Sequence, residues 1–402
     1  MGGYYLFYVN DELPKPEAHI IQVVQCANAA ANLGFSTVLT YLEKGFKAGN
    51  PISWVYPIRP KLPKQDFSDF FNTQNSLSLL PLSIPWPIGR IRSKLTHPST
   101  FVCKYYFPIH LSKRTQLVHT RDWNFAKASI KSGIPVIYEC HHCEKKKYEP
   151  DFVNHPLLQV AVTVVETVRE NMISNGIPVE KTFRIHNGYN HQFSARHTAA
   201  AAEWREKLLV GEYEKLVVYS GALYPFKGID LLLQVARSMP KIKFALAGGP
   251  EIQLQKYQNN IAENELINVE LLGFLPQQKL ASLLQSADVL VHPHCLGEAA
   301  TFTSPLKLFD YMASGTPIVA TKIPSLVEFY DSRAIAGWCN PDDPMEFAQC
   351  LQSVLVSYPR KIEGYRASMD FVQQFSWESR ISKILDRVNP EVRQNLFATQ
   401  SS

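Results

Sequence analysis

The chain has 402 residues, 46% of them hydrophobic and 19% charged, enough for two to three domains with a large core, which excludes wholesale disorder. Its 41 Lys and Arg against 36 Asp and Glu give +5, too mild an excess for a dedicated nucleic-acid binder but suited to anionic small molecules or anionic surfaces. Seven cysteines at irregular spacing speak against a secreted disulfide framework. No run approaches the roughly 18 apolar residues of a membrane-spanning helix. The nearest, Leu77–Gly89, is interrupted by three prolines. A cytoplasmic location is expected.

In chain order, Tyr4–Val9 reads as a buried strand, Ala18–Leu33 as a helix stopped at Gly34, and Ser36–Tyr41 as a second strand. Residues 45–115, rich in Pro, Ser and aromatics, read as an irregular excursion with short helices. Leu117–His119, Pro135–Glu139, Val160–Val165 and Thr182–His186 follow as strands, with Phe125–Lys131 helical. From Lys215–Ser220 onward the alternation of strand and helix is regular: Ile229–Met239, Lys243–Ala247, Asn268–Leu272, Lys279–Gln285, Val289–Val291, Leu306–Ala313, Ile318–Ala320 and Pro344–Val356. Repeated βα units with short connections predict parallel sheets covered by helices on both faces. Ligands of such sheets bind beyond the carboxyl ends of the strands.

Two stretches there carry chemistry. In Ser220–Leu233 a glycine, Gly221, leaves a strand and Lys227-Gly228 opens a helix, placing a cation and free backbone N–H groups where phosphate oxygens can sit. The bland alternative is a surface lysine in a βα loop. In Thr303–Ala320 a proline precedes a helix, a glycine ends it, and Asp310 falls one turn in among core-facing positions, where it can accept from ligand hydroxyls or merely complement the helix dipole. The Cys140-His-His-Cys143 run invites a metal reading. Two histidines inside one Cys-x2-Cys cannot all reach one tetrahedral ion, and no second ligand pair follows at ordinary spacing, so no metal site is expected. The basic runs Arg90–Lys94 and Lys145–Lys147 are solvated faces by default; the alternative is peripheral contact with anionic lipid headgroups at the inner face of a membrane.

Residues 215–356 resemble the donor half of a family 4 (group 1) retaining glycosyltransferase of the GT-B fold. The resemblance is carried by Gly221…Lys227-Gly228, Leu272-Gly-Phe-Leu-Pro276, Ala287-Asp-Val-Leu-Val-His-Pro293 and the 304–320 segment, in matching order and spacing. Ile134–His141, Arg184–Asn190 and Phe375-Ser-Trp-Glu378 resemble, in turn, the strand delivering an interdomain histidine, the turn closing the acceptor domain, and the start of a terminal helix that crosses back. The resemblance implies an α/β architecture of two doubly wound, Rossmann-like parallel-sheet domains facing across a cleft: an acceptor domain over 1–190, a nucleotide-sugar domain over 191–372, the returning helix over 373–390 and a tail over 391–402.

It further implies sugar transfer, with retention, from a nucleotide-sugar donor to a hydroxyl of a carbohydrate, lipid-linked or small-molecule acceptor, with no metal and no cofactor. Lys227 and His141 take the catalytic roles. Gly221, Lys227, Gly273, Phe274, Ser304, Pro305, Leu306, Lys307 and Asp310 bind the donor, with Asp310 standing where the family has the second glutamate of Glu-x7-Glu. The first glutamate is replaced by Phe302, for which Glu298 is a candidate substitute, and Ala222 replaces an arginine often found in the Lys227 loop. Glu17, His19 and Arg121 are candidate acceptor or sugar contacts. Two other readings stay open: a sugar-nucleotide epimerase or phosphorylase on the same fold, and a non-catalytic nucleotide-binding partner subunit.

Overall fold

The computed structural model describes residues 3–43, 59–74, 76–83, 97–297, 300 and 306–397. The chain divides into two units, Met1–His186 together with Trp377–Ser402, and Asn187–Ser376.

The first unit is built on a seven-stranded parallel sheet: β1 (Tyr4–Glu12), β2 (Thr37–Leu42), β3 (Ser78–Leu82), β4 (Thr115–Thr120), β5 (Val136–Glu139), β6 (Leu158–Thr163) and β7 (Thr182–Arg184). Its order, β3-β2-β1-β4-β5-β6-β7, reverses between β1 and β4. Tyr5, Leu6, Phe7 and Tyr8 are all buried, the continuous apolar run expected of a strand covered on both faces. The strand β3 lies inside the stretch read from sequence as irregular. Its Pro81 can give no ladder hydrogen bond, which argues against a strand; the position is tolerated because β3 is the last strand of the sheet, where β2 pairs on one side and an isolated bridge from Lys61 to Leu79 lies on the other.

The first unit is completed from far along the chain. Helix Trp377–Leu385 buries Trp377, Ile381, Ile384 and Leu385 at helical spacing, each fully buried Ile or Leu contributing about 1.5–3 kcal/mol. It packs on helix Ala18–Asn32, with Asn32 Nδ2 donating to Glu378 Oε1 at 2.9 Å. A further helix, Pro390–Phe397, follows.

The second unit has a six-stranded parallel sheet: β8 (Lys215–Ser220), β9 (Ile242–Ala247), β10 (Val269–Gly273), β11 (Val289–His292), β12 (Ile318–Thr321) and β13 (Gly337–Cys339). Its order, β10-β9-β8-β11-β12-β13, reverses between β8 and β11. Helix Ile229–Ser238 turns Ile229, Leu231, Leu232, Val235 and Ala236 inward and leaves Asp230, Gln234 and Arg237 in water. Both sheets are doubly wound, as expected. Among the described residues no helix is long and apolar enough to cross a membrane.

Candidate active site

In the second unit the switch point lies where β8 and β11 part, and the chain there is built for close backbone approach. Gly228, at φ +76°, caps helix Ile229–Ser238 from the left-handed region, and a Cβ on it would stand 1.8 Å from the Pro293 carbonyl oxygen. The Lys227 turn is thereby seated against the segment after β11. Beside it, Gly221 N–H donates to Ala247 O at 2.9 Å and Gly248 N–H to Gly273 O at 2.6 Å, so three strand ends meet in bare glycine backbone.

Lys227 has no carboxylate within ion-pair distance among the described residues, and its Nζ sits 5.1 Å from the Phe226 ring centroid. Burial pushes its pKa down to about 7. The rings of His292 and His294 lie against each other, tilted by 33° with centroids 3.8 Å apart. Burial and then the Lys227 charge push His292 down to about 3, so this cation has neutral histidines for neighbours.

Helix Leu306–Ser314 supplies the opposite charge. Its Tyr311 hydroxyl accepts from the Ser220 N–H at 2.6 Å and donates to Ser220 O at 3.2 Å, pinning the helix to the end of β8. The adjacent Asp310 is buried, and burial raises its pKa to about 7 against the opposing pull of Lys307, 4.0 Å away, and of the Asn190 backbone N–H. Phe274, just beyond Gly273, is 44% exposed. Of the donor-side candidates, Gly221, Lys227, Gly273, Phe274, Leu306, Lys307 and Asp310 thus lie on the loops and helix at the C-terminal ends of this sheet. Glu298, Ser304 and Pro305 lie outside the described residues, as do Phe302 and the run Arg90–Lys94. At the position of the missing arginine, the Ala222 carbonyl accepts from the Tyr219 hydroxyl at 2.8 Å.

The corresponding end of the first sheet is organised around Glu139, the last residue of β5, whose side chain is 2% exposed. His119 Nε2 lies 2.9 Å from its Oε2, while His141 Nε2 at 2.6 Å, Gln22 Nε2 at 2.8 Å and the Arg380 guanidinium all meet Oε1. Arg380 also donates to the carbonyls of Ile185 and His186. Arg121 joins through Gln22 Oε1 at 3.3 Å. Burial alone would raise the Glu139 pKa; Arg380 and the hydrogen bonds from both histidines outweigh it and hold the carboxyl well below its ordinary range. His141, expected from the sequence, is therefore tied to a glutamate that sequence reasoning passed over. Its preceding strand offered one signal, a lone acid ending an otherwise apolar run. Glu17 occupies the N-cap position of helix Ala18–Asn32 without a capping bond, and His19 Nδ1 is 3.4 Å from it, outside the Glu139 network.

In the Cys140–Cys143 run the ligand atoms of Cys140, His142 and Glu144 come within 4.8 Å of one another, with His142 Nε2 2.9 Å from Glu144. His141 turns the other way, to Glu139, so the four residues of the run do not converge.

Residues 214–357 match the family model of glycosyl transferases group 1. Over that segment the chain carries a group 1 glycosyltransferase domain. This glycosyltransferase is 25% identical over 296 residues to an uncharacterized glycosyltransferase of Methanocaldococcus jannaschii, covering 65% of the present chain and 72% of the archaeal one. It is 25% identical to the D-inositol 3-phosphate glycosyltransferase of Mycolicibacterium smegmatis over 43% of its own length and 39% of that enzyme. Among solved structures, Anabaena HepE in complex with UDP and glucose superposes with a TM-score of 0.67 at 15% identity, over 96% of this chain and 98% of that one. Sucrose-phosphate synthase from Thermosynechococcus elongatus gives 0.66 at 17% identity, over 99% and 100%. At these identities the likeness is one of fold, the GT-B architecture.

Proposed function

We propose that this glycosyltransferase moves a sugar from a nucleotide-diphosphate donor to a hydroxyl acceptor with retained anomeric configuration and without a metal. The observation that carries the reading is the pairing, at one sheet end, of a buried cation with no carboxylate partner among the described residues and a buried carboxyl one turn into an adjoining helix. Lys227 meets the diphosphate and Asp310 the ribose hydroxyls; the glycine backbone at the ends of β8, β9 and β10 allows the donor to lie close. During transfer the bond from the anomeric carbon to the phosphate oxygen breaks and one to the acceptor oxygen forms. The acceptor proton passes to the departing phosphate, so no carboxylate nucleophile is needed. Lys227, protonated when the diphosphate is bound, stabilises the charge that grows on the leaving oxygen. The first unit supplies the acceptor side, with His141 and Arg121 meeting substrate hydroxyls. A cytoplasmic enzyme, reaching lipid-linked acceptors by peripheral contact through its basic runs, completes the reading.

UDP-glucose is the first donor to test, since a protein of the same fold binds UDP and glucose. In a thermal-shift panel of nucleotide sugars, a ligand at 100 times its Kd adds about 2.7 kcal/mol of stability. A shift with one nucleotide sugar that survives EDTA, and a product whose anomeric proton coupling matches the donor's, are expected. No shift with any nucleotide sugar overturns the reading; a glycosylated product of inverted configuration overturns retention.

A further inference from the structure

An ionised carboxylate only accepts, so every nitrogen in hydrogen-bond contact with Glu139 must carry a proton. For His119 this places the proton on Nε2, facing Oε2, and leaves Nδ1 to accept from the Tyr5 hydroxyl at 3.0 Å; both ring nitrogens are spent inside the protein. For His141 the same logic puts the proton on Nε2, facing Oε1. Its side chain is 11% exposed, Nδ1 is not among the sealed, unpaired atoms, and no described residue donates to it. Burial, then the Arg121 cation, push the His141 pKa down to about 3, against the opposing pull of Glu139, so the ring is neutral. One histidine of the pair is closed, and the other offers a lone pair outward.

We propose that Glu139, held as a carboxylate by Arg380, is a positioning residue of the transfer reaction: it locks His141 in the Nε2–H tautomer and so presents Nδ1 as an acceptor for a substrate hydroxyl. What His141 meets rests on the glycosyltransfer reading above; the tautomer does not. The lock draws on both ends of the first unit's sequence, since Glu139 and Arg380 are 241 positions apart. Gln22 links Arg121 to the same carboxylate, so a second cation is oriented by the group that orients the histidine. A purely structural ion pair would require neither a neutral histidine nor one open ring nitrogen.

The full-length protein labelled with ring-15N histidine tests this directly. Long-range 1H–15N spectra, with His141 assigned by its loss in His141→Asn, should show the Nε2-protonated neutral pattern at pH 7 and still at pH 5. A Nδ1-protonated ring or an imidazolium at pH 7 overturns the proposal. The second arm is Glu139→Gln, whose amide can donate to His141 Nε2 and reverse the tautomer. UDP release from UDP-glucose should fall about 100-fold or more, while UDP-glucose affinity by calorimetry stays within twofold. A folded Glu139→Gln protein with wild-type turnover overturns the proposal; one that does not fold leaves the wild-type spectrum to decide. If the wild-type protein neither binds nor cleaves UDP-glucose, that donor fails, and the tautomer remains measurable.

Discussion

At the ends of β4 and β5 a buried carboxylate collects an arginine, two histidines and a glutamine, whereas at the ends of β8 and β11, among the described residues, Lys227 has no carboxylate partner and Asp310 is opposed by Lys307 at 4.0 Å and the Asn190 backbone N–H. Both sheets reverse their strand order at these points, so topology alone does not make the difference. The first unit satisfies its charges internally and fixes geometry. The second holds Lys227 and Asp310 near neutrality, each near its own switching point, and in the proposed reaction the donor's phosphate and hydroxyls would complete both. Preorganisation and readiness to bind are thus assigned to different sheets of one chain.

The comparison breaks most sharply at Arg380. Arg380→Met leaves Glu139 buried with two histidines and Gln22 but without its guanidinium, and breaking a buried pair from one side costs about 3–5 kcal/mol. The first unit should then melt separately and earlier in calorimetry, and a single unchanged transition would refute the assignment. In the wild-type protein the depressed Glu139 pKa contributes stability that is present above about pH 4.5. It is lost as pH falls through the lower folded value, so acid should melt the first unit ahead of the second.

Lys227 should respond in the opposite sense. Lys227→Met removes a cation that burial disfavours, so the unliganded second unit should gain about 1 kcal/mol at pH 6. Because the folded pKa lies below the unfolded one, the penalty is complete below about pH 7 and vanishes as pH approaches 10.5; the gain should therefore shrink at pH 9. Turnover should fall by roughly 30- to 1,000-fold, about 2–4 kcal/mol in the transition state, with a smaller loss of donor affinity. Equal losses in kcat and affinity would place Lys227 elsewhere in the reaction.

Asp310→Asn is the milder change. Ribose hydroxyls lie far from the breaking bond, so KM for donor should rise by about 1–3 kcal/mol, roughly 5- to 150-fold, with kcat spared. A fall in kcat at unchanged KM would contradict the role.

The finest test reads protons. With both pKa values moved to about 7, Lys227 should be mostly neutral at pH 8 and take up a proton when the diphosphate binds, and Asp310 should be mostly protonated at pH 6 and release one as it meets the ribose. Calorimetry of UDP-glucose binding in buffers of different ionisation enthalpy should show the sign reverse near pH 7. Lys227→Met should abolish the uptake and Asp310→Asn the release.

These differences also explain what the sequence disclosed. Lys227 and Asp310 sit in local strand–loop–helix units, where spacing within about ten residues places them at a strand end and one turn into a helix. Glu139 and Arg380 cannot be paired by any such spacing. Arg380 lies in a helix whose apolar stripe conceals that its guanidinium is buried. Spacing gives Tyr311 no role, although its hydroxyl fixes that helix to β8. The strand β13, three residues long, and the proline-bearing β3 fall below what periodicity detects.

The position of Arg380 also dictates an order of assembly. Glu139 is made early in synthesis, but its counter-charge arrives only after the whole second unit has emerged. Until then the nascent first sheet either keeps that carboxylate in water or buries it without its guanidinium counter-charge, so its closing is delayed while the second unit, contiguous in sequence, is free to fold. A ribosome-bound chain stalled before residue 377 should therefore show a protease-resistant second unit beside a labile first one. Helix Trp377–Leu385 is then the latch of the first unit.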